Sequence, residues 1–371
     1  MALKVGLVAC CLNTEHIRGM GKYVFELLQQ SGTEPDLQWV LFGDQPRYGM
    51  VVPANKAVLS DIFEFRGDRF HLWEQMGVPM RTLKRGVDVL HCTEGTLCWW
   101  QPKPTVVTVH DTLSWNERAD TAVEAFYYDT LLPAAMKKCA AVVTISESSR
   151  SDILARWPWL EEKLDVIPHG IESAYFTADA DAMAEPLRAR LGSAPYLVYL
   201  GGPLERKRFG WALEVLGKTE HRELQLVACG FGAEARQQAQ GKLPADLQGR
   251  VHFASFLSDA ELRALYRGAR AVLYPTLYEG FGFPAIEAQA AGVPVIFSAL
   301  GSLKELVGPL ALVVPPDDVQ AWLAAVHEAM TLGEARTARA QDASRWAARF
   351  AWSESFDKHL AVYRRAARQV A

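Results

Sequence analysis

No run of about eighteen apolar residues occurs in the 371-residue chain, so no helix is expected to cross a bilayer. Nor is there a surplus of charge. The 39 Lys and Arg against 43 Asp and Glu leave a net charge of −4, which excludes the global basic field of a nucleic-acid binder. Cysteine is sparse. Cys10, Cys11, Cys92, Cys98, Cys139 and Cys229 form no CxxC pair, and none is spaced with histidines as in a zinc site. Most lie in or beside apolar runs and read as buried thiols of a reducing cytosol. The opening MALKVGLVACCLN has one lysine and only a short apolar run. Without an h-region or cleavage pattern it reads as a first β-strand, and the expected location is cytoplasmic.

What is present is globular: half the residues are apolar and 22% are charged. The length suits two ordinary domains. Short apolar runs at 4–10, 38–43, 87–91, 105–110, 140–145 and 164–168 read as strands. Helical stretches alternate with them, notably 22–30 and 122–138, and Ser146 to Ser149 read as a helix cap. A polar, strand-poor segment at 172–188 marks the linker. A second strand series follows at 196–201, 224–229, 251–253, 271–274, 293–297 and 311–314, with helices at 209–216 and 259–267. The tail reads as helices at 319–331, 334–348 and 353–367. Buried strands alternating with helices predict an α/β fold of two Rossmann-like, doubly wound domains. A ligand cleft is expected at the carboxyl ends of their strands.

The stretch 278–292, YEGFGFPAIEAQAAG, carries the strongest signal. A glycine turn, Glu279 to Phe283, feeds a short Ala-rich helix. Pro284 suits the first turn and Gly292 the stop. Such a turn aims backbone N–H groups and the positive helix end at one spot, which suits an anion. Glu279 and Glu287 flank it and could accept hydrogen bonds from hydroxyls of a phosphate-bearing sugar ligand. An ordinary strand–turn–helix connection would account for this stretch alone. The second element decides: strand 196–200 runs into GGPLERKRFG. There Gly201 and Gly202 allow a tight turn, and Arg206, Lys207 and Arg208 follow on the same sheet edge. Cations and N–H groups from two adjacent elements suit one diphosphate, whereas a basic turn alone would be a solvated face.

With both elements in view, the chain resembles the family 4 retaining glycosyltransferases of group 1 type and GT-B fold, near mannosyl- and rhamnosyltransferases of polysaccharide assembly. The resemblance covers nearly the whole chain. It rests on Gly19-Met20-Gly21-Lys22-Tyr23, VTVHD at 107–111, TISESSR at 144–150, VIPHG at 166–170, and the Arg-Lys motif ending at Lys207. It also rests on Glu279 and Glu287 with seven residues between them, GSLKELVG at 301–308, and Phe350-Ala351-Trp352-Ser353 at the start of the final helix. It implies an acceptor domain at 1–172, a nucleotide-sugar domain at 173–350, and a helix at 351–371 returning to the first domain. It further implies that Arg206, Lys207 and the N–H groups of Phe281, Gly282 and Phe283, with Gly202, hold the leaving diphosphate. Glu287 takes the ribose, Glu279 the transferred sugar, and His110 orients that sugar. Gly19 and Gly21 let their loop approach the donor, although an ordinary flexible turn would also use them. No metal and no cofactor is implied. Preorganised cations stabilise charge developing on the diphosphate, which can take the acceptor's proton on the same face. The paired carboxylates of a glycosidase are not evident.

Several features stand apart. Arg18 occupies a position that is often glycine in the family. Asp179-Ala180-Asp181 matches a metal motif of the other glycosyltransferase fold but lies in the linker. Glu205 could pair with Arg206. His91 and His169 end strands and read as structural, and Asp111 either orients His110 or caps the next loop. Residues 62–100 mix Phe63, Phe65, Phe70, Trp73, Trp99 and Trp100 with Arg66, Arg69, Arg81, Lys84 and Arg85. That mixture reads either as a surface resting on an anionic membrane, to receive a lipid-linked glycan, or as core beneath a solvated basic face. The donor expectation is GDP-mannose. An epimerase, a phosphorylase and a non-catalytic nucleotide-sugar binding subunit share the architecture. Against them stand the absent pyridoxal-phosphate lysine motif and the intact Arg206, Lys207, Glu279 and His110.

Overall fold

A computed structural model describes every residue except 1, 16, 18, 55, 56, 66–68, 117–120, 178–181, 255, 370 and 371. Arg18, Arg66 and the Asp179–Asp181 motif therefore lie outside the described residues. The chain divides into two compact units, residues 1–170 with 350–371, and residues 171–349.

The first unit holds a seven-stranded parallel sheet. Its strands are β1 (Leu3–Val8), β2 (Leu37–Gly43), β3 (Val58–Ile62), β4 (Val89–Cys92), β5 (Thr105–Val109), β6 (Ala141–Thr144) and β7 (Leu164–Val166), in the order β3-β2-β1-β4-β5-β6-β7. The second unit holds β8 (Tyr196–Leu200), β9 (Gln225–Cys229), β10 (Val251–Phe253), β11 (Ala271–Tyr274), β12 (Val295–Phe297) and β13 (Ala311–Val313), in the order β10-β9-β8-β11-β12-β13. Every strand pairing is parallel. The central strands are Val-, Leu- and Ile-rich and buried, as strands covered on both faces must be. The two expected Rossmann-like domains are present.

β3 was not legible in the sequence, because VLSDI carries Ser60 and Asp61 and lies at a sheet edge. Asp61 is nonetheless buried. Arg81 Nη1 (3.2 Å) and Arg85 Nε (2.6 Å) donate to its two oxygens from the helix Val78–Lys84 and its end, which offsets the cost of burying a carboxylate. The stretch expected as one helix at 122–138 is helical throughout. Between Ala122–Phe126 and Leu132–Lys138, however, it widens into a π-turn over Tyr127–Leu131. Pro133 stands just beyond and has no N–H to donate to the preceding turn. The segment read as a linker is pinned at its start: Tyr175 is buried, its ring 6.2 Å from that of Tyr266, and Arg267 donates to the carbonyls of Ala174 and Thr177.

The last helix, Trp352–Arg368, belongs to the first unit and docks through a buried hydrogen-bond chain. The carbonyl of Ser355 can only accept, so His359 Nδ1–H donates to it (2.7 Å). His359 Nε2 must then accept, from Tyr23 O–H (2.7 Å). The Tyr23 oxygen accepts from Thr108 (3.1 Å), Thr108 from His91 Nε2–H (2.8 Å), and His91 Nδ1 from Tyr363 O–H (2.7 Å). One carbonyl thus fixes five proton positions across β4, β5, the helix Gly19–Gln30 and the final helix. His169 sits beside this chain, its ring 4.9 Å from Tyr23 and 5.6 Å from Trp352. Gly170 is required here, since a Cβ would meet the Trp352 backbone nitrogen at 2.3 Å. His91 and His169 are both buried.

Tyr23→Phe should cost about 2 kcal/mol in denaturant unfolding, because it leaves the Thr108 O–H without its acceptor and His359 Nε2 without its donor. Burial lowers the pKa of His91, His169 and His359, the last to about 4. A histidine pKa lower in the folded than in the unfolded chain gives stability that is full above the unfolded value and is lost as pH falls. Stability should therefore decline from pH 6.5 toward 4, His359 alone contributing roughly 3 kcal/mol. Equilibrium unfolding at a series of pH values checks this, with His359→Asn flattening the slope.

Candidate active site

The functional elements of the second unit all leave carboxyl ends of its parallel strands. After β8, Gly201 and Gly202 turn the chain. Gly202 has a positive φ of 62° and lies so close to Gly230, after β9, that a Cβ would meet the Gly230 carbonyl oxygen at 2.5 Å. Tyr199 O–H donates to the carbonyls of Gly202 (2.9 Å) and Lys207 (3.3 Å), holding the turn from below. A single 3₁₀ turn, Glu205–Lys207, then presents the two cations, and Arg208 follows in the left-handed region.

After β11 comes the second element. Gly282, φ 104°, caps the helix Phe283–Ala290, and a Cβ there would meet Leu303 at 2.5 Å. Pro284 lies in the helix's first turn and Gly292, φ 72°, just past its end. The two elements are tied together. Arg206 Nη1 donates to the Tyr278 carbonyl (2.8 Å), and the Leu277 N–H donates to the Arg206 carbonyl (3.0 Å). Glu279 lies between the cations: Lys207 Nζ donates to Oε1, and Arg206 stands 3.6 Å from Oε2. Beneath them the Tyr274 ring lies 5.5 Å from the Lys207 ammonium. Burial first, then the Glu279 carboxylate, raises the Tyr274 pKa, so this phenol stays neutral. The pair is mostly buried yet reachable, with side chains 14% exposed for Lys207, 11% for Glu279 and 26% for Arg206.

Other residues take narrower parts. Arg208 is spent on the Pro316 carbonyl (2.6 Å) and Asp317 (2.8 Å) and stacks on Trp211. Phe281 is buried, with its ring 5.2 Å from that of Phe283. Glu287 is buried and accepts from Tyr266 O–H (3.1 Å). Ser302 escaped sequence reasoning: its hydroxyl donates to the carbonyls of Glu279 (2.6 Å) and Phe281 (3.2 Å) and fixes the glycine turn. Its signal was the GSLKELVG segment, read only as a family landmark.

In the first unit, His110 follows β5. Its Nε2–H donates to the Thr93 carbonyl (2.8 Å), which leaves Nδ1 as the acceptor of a neutral ring. Burial lowers its pKa, the Thr93 contact opposing in part. Asp111 accepts from the Leu113 N–H (3.0 Å) and so caps the following loop, while Ser149 O–H donates to the His110 carbonyl (3.3 Å). The glycines expected in a loop stand in the first turn of the helix Gly19–Gln30. Gly21 is required by packing, a Cβ meeting the Cys11 carbonyl oxygen at 2.8 Å, whereas nothing lies within 4 Å of one at Gly19. Beside them a cavity of about 650 Å³ opens at the carboxyl ends of β1, β2 and β4, lined among others by Asn13, Arg47, Tyr48 and Glu94. Asn13 Oδ1 accepts from the Gln45 N–H (2.6 Å), and Glu94 accepts from the Cys11 N–H (2.9 Å). The sequence reading missed these polar residues. Position was their only signal, since Glu94 follows the end of β4 by two residues.

The membrane surface expected at 62–100 is only partly a surface. Phe63 and Trp73 are core, stacked at 5.2 Å, and Arg81 and Arg85 are committed to Asp61. Trp99 and Trp100 are exposed, and the Lys138 ammonium lies 3.2 Å above the Trp99 ring.

Residues 17–175 match the Glycosyltransferase Family 4 domain, and residues 188–346 match the Glycosyl transferases group 1 domain. The chain is a group 1 glycosyltransferase. It is 29% identical over 296 residues to an MMP alpha-(1->4)-mannosyltransferase of Mycolicibacterium hassiacum, a match covering 72% of this chain and 67% of that protein. It is 27% identical over 229 residues to an O-antigen chain mannosyltransferase of Salmonella typhimurium, covering 62% of each. These matches thus span about two thirds of the relatives' length. The structure is similar to that of sucrose-phosphate synthase from Thermosynechococcus elongatus, with a TM-score of 0.76, 21% identity and 98% of each chain covered. The fold of the glycosyltransferase is GT-B.

Glu279 is the counter-ion of both cations. Glu279→Gln should therefore strengthen nucleoside-diphosphate binding about fivefold by calorimetry while lowering transfer, because the cations lose their internal partner.

Proposed function

We propose that this glycosyltransferase transfers a mannosyl residue from GDP-mannose to a glycan acceptor carried on a polyprenyl diphosphate, with retention of anomeric configuration and without a metal ion. The observation that carries the reading is the convergence of Arg206, Lys207 and the Glu279–Gly282 turn on one strand edge. Mannose is supported by the relatives named as mannosyltransferases.

In this reading the donor diphosphate displaces Glu279 from Lys207 and takes its place against both cations and the turn's N–H groups. Cleavage of the bond to the anomeric carbon puts negative charge on the diphosphate, where fixed cations need no reorganisation. The departing phosphate oxygen takes the acceptor's proton on the same face of the sugar. Glu279, released from Lys207, accepts from sugar hydroxyls, and His110 Nδ1 accepts another. Glu287 accepts from the ribose while keeping Tyr266, since a carboxylate has room for both. The cavity beside Asn13 and Glu94 takes part of the acceptor. The same reading places the enzyme in the cytoplasm, at the inner face of the membrane. Trp99 and Trp100 would lie at the lipid boundary with Lys138 among anionic headgroups.

Lys207→Ala should lower kcat/KM by about a hundredfold or more, because it removes a cation matched to growing charge. Glu287→Ala should mainly weaken donor binding. Thermal-shift screening against GDP, UDP, dTDP and ADP sugars tests the donor: selective stabilisation by GDP-mannose is expected, and selective stabilisation by another nucleotide overturns that choice. Sedimentation with vesicles containing anionic lipid tests the membrane contact, which Trp99→Ala with Trp100→Ala should abolish.

A further inference from the structure

The second unit carries a side-chain cluster that the transfer reaction does not use. Glu220 and His221 lie in the turn after the helix Phe209–Lys218, and His327 lies on the helix Val319–Thr331. His327 Nδ1 is 2.6 Å from Glu220 Oε1, and His221 Nε2 is 3.9 Å from the same oxygen. One ligating atom from each residue lies within 4.8 Å of the others. The two imidazoles stack with centroids 5.4 Å apart. We propose that Glu220, His221 and His327 form a binding site for a divalent transition metal of the zinc class, which fastens these two helices together.

His221 makes the independent case. Its Nε2 is buried and has no hydrogen-bond partner among the described residues. A polar atom held dry and unpaired costs free energy, and a metal ion would supply the missing partner. On the other side of the ring, Glu223 lies 3.6 Å from Nδ1. That carboxylate favours the proton on Nδ1 and leaves the Nε2 lone pair toward Glu220, as an outer carboxylate does for a ligating histidine. The position of His221 is set before any ion arrives. Its N–H is 3.4 Å from Thr219 Oγ1, and its carbonyl accepts from the Leu224 N–H (3.1 Å) and Arg250 (3.4 Å). Arg250 also donates to the carbonyls of Leu216 and Leu224 and so stitches the turn to the helix end.

The other two ligands can adjust. His327 and Glu220 have side chains 55% and 72% exposed, which gives an ion an entry path. Two imidazole nitrogens and a carboxylate oxygen suit zinc, with bonds of about 2.0–2.2 Å and a fourth position left for water. Ligand atoms on one tetrahedral zinc stand roughly 3.3 Å apart, so Glu220 and His327, now 2.6 Å apart, must open slightly while the 3.9 Å between Glu220 and His221 closes, movements the exposed Glu220 and His327 can supply. The helices already meet through Trp211 and Trp322, ring centroids 6.3 Å apart. The metal would add a clamp between residues far apart in sequence, next to the helix that begins just after Arg206 and Lys207.

Chelator-treated full-length protein, its thiols blocked so that Cys10 and Cys11 do not compete, is titrated with zinc chloride in a calorimeter. One equivalent should bind, and His327→Ala and His221→Ala should each weaken binding about tenfold or more. Zinc should raise the melting temperature of the wild type and not that of His327→Ala. Donor affinity and transfer should stay the same in His327→Ala, which separates this site from the proposed reaction. Absence of zinc binding by the wild type overturns the proposal, as does unchanged affinity in His327→Ala. His327 is exposed, so that variant decides the matter even where His221→Ala fails to fold.

Discussion

The Glu279 carboxylate between Arg206 and Lys207 is the interaction on which the arrangement at the ends of β8 and β11 depends. Two adjacent cations on a 3₁₀ turn would repel each other and spread into solvent without it. Their convergence needs a partner that is itself fixed, and Glu279 is fixed because Ser302 holds its carbonyl and that of Phe281. In the proposed reaction this arrangement assembles the charge needed for a diphosphate in advance, with one of the two positive charges balanced by Glu279 until a ligand competes for it. A closely held pair of this kind is a poor source of stability, since desolvating both ions offsets much of their attraction. Its value is geometric: the cations are already in place when charge develops.

The first unit solves a different problem by a neutral route. Five side chains with polar groups, His91, Thr108, Tyr23, His359 and Tyr363, are buried between the sheet and two helices, where charge would be costly. Burial keeps both histidines neutral, and neutrality gives each ring one donor and one acceptor. Such a chain can be satisfied in only one direction once its end is fixed at the Ser355 carbonyl. It therefore specifies the seating of the final helix more sharply than apolar contact alone would. The same seating explains Gly170 and Trp352 as one feature: the glycine lets the backbone pass where the final helix starts.

The sequence was most legible where local chemistry and position agree. The alternation of buried strands with helices predicted both sheets, and the turn at 278–292 and the cations at 206–207, each ordinary alone, stood out because both follow strands on one sheet edge. Legibility failed where a role is conferred by something distant in the chain. Asp61 looks wrong for a strand until Arg81 and Arg85 arrive from a later helix. Gly19-Met20-Gly21 reads as a loop because glycine disfavours helix, yet packing against Cys11 overrides propensity. Trp73 and Trp99 are indistinguishable in sequence, and only the fold sends one to the core and the other to the surface. Ser302 and Tyr266 act on the site through contacts that no spacing rule announces.

Tyr266 shows how such a hidden residue bears on chemistry. Glu287 sits on a helix whose residues Ala285–Ala290 are all buried, where a carboxylate without a hydrogen-bond donor would be costly. The Tyr266 hydroxyl donates to its Oε2 and so fixes where the carboxylate points. The phenol itself cannot drift toward phenolate, because burial first and the Glu287 charge second hold its pKa well above the ordinary value. The tyrosine is a positioning residue: it sets the orientation in which Glu287 would meet the proposed ribose.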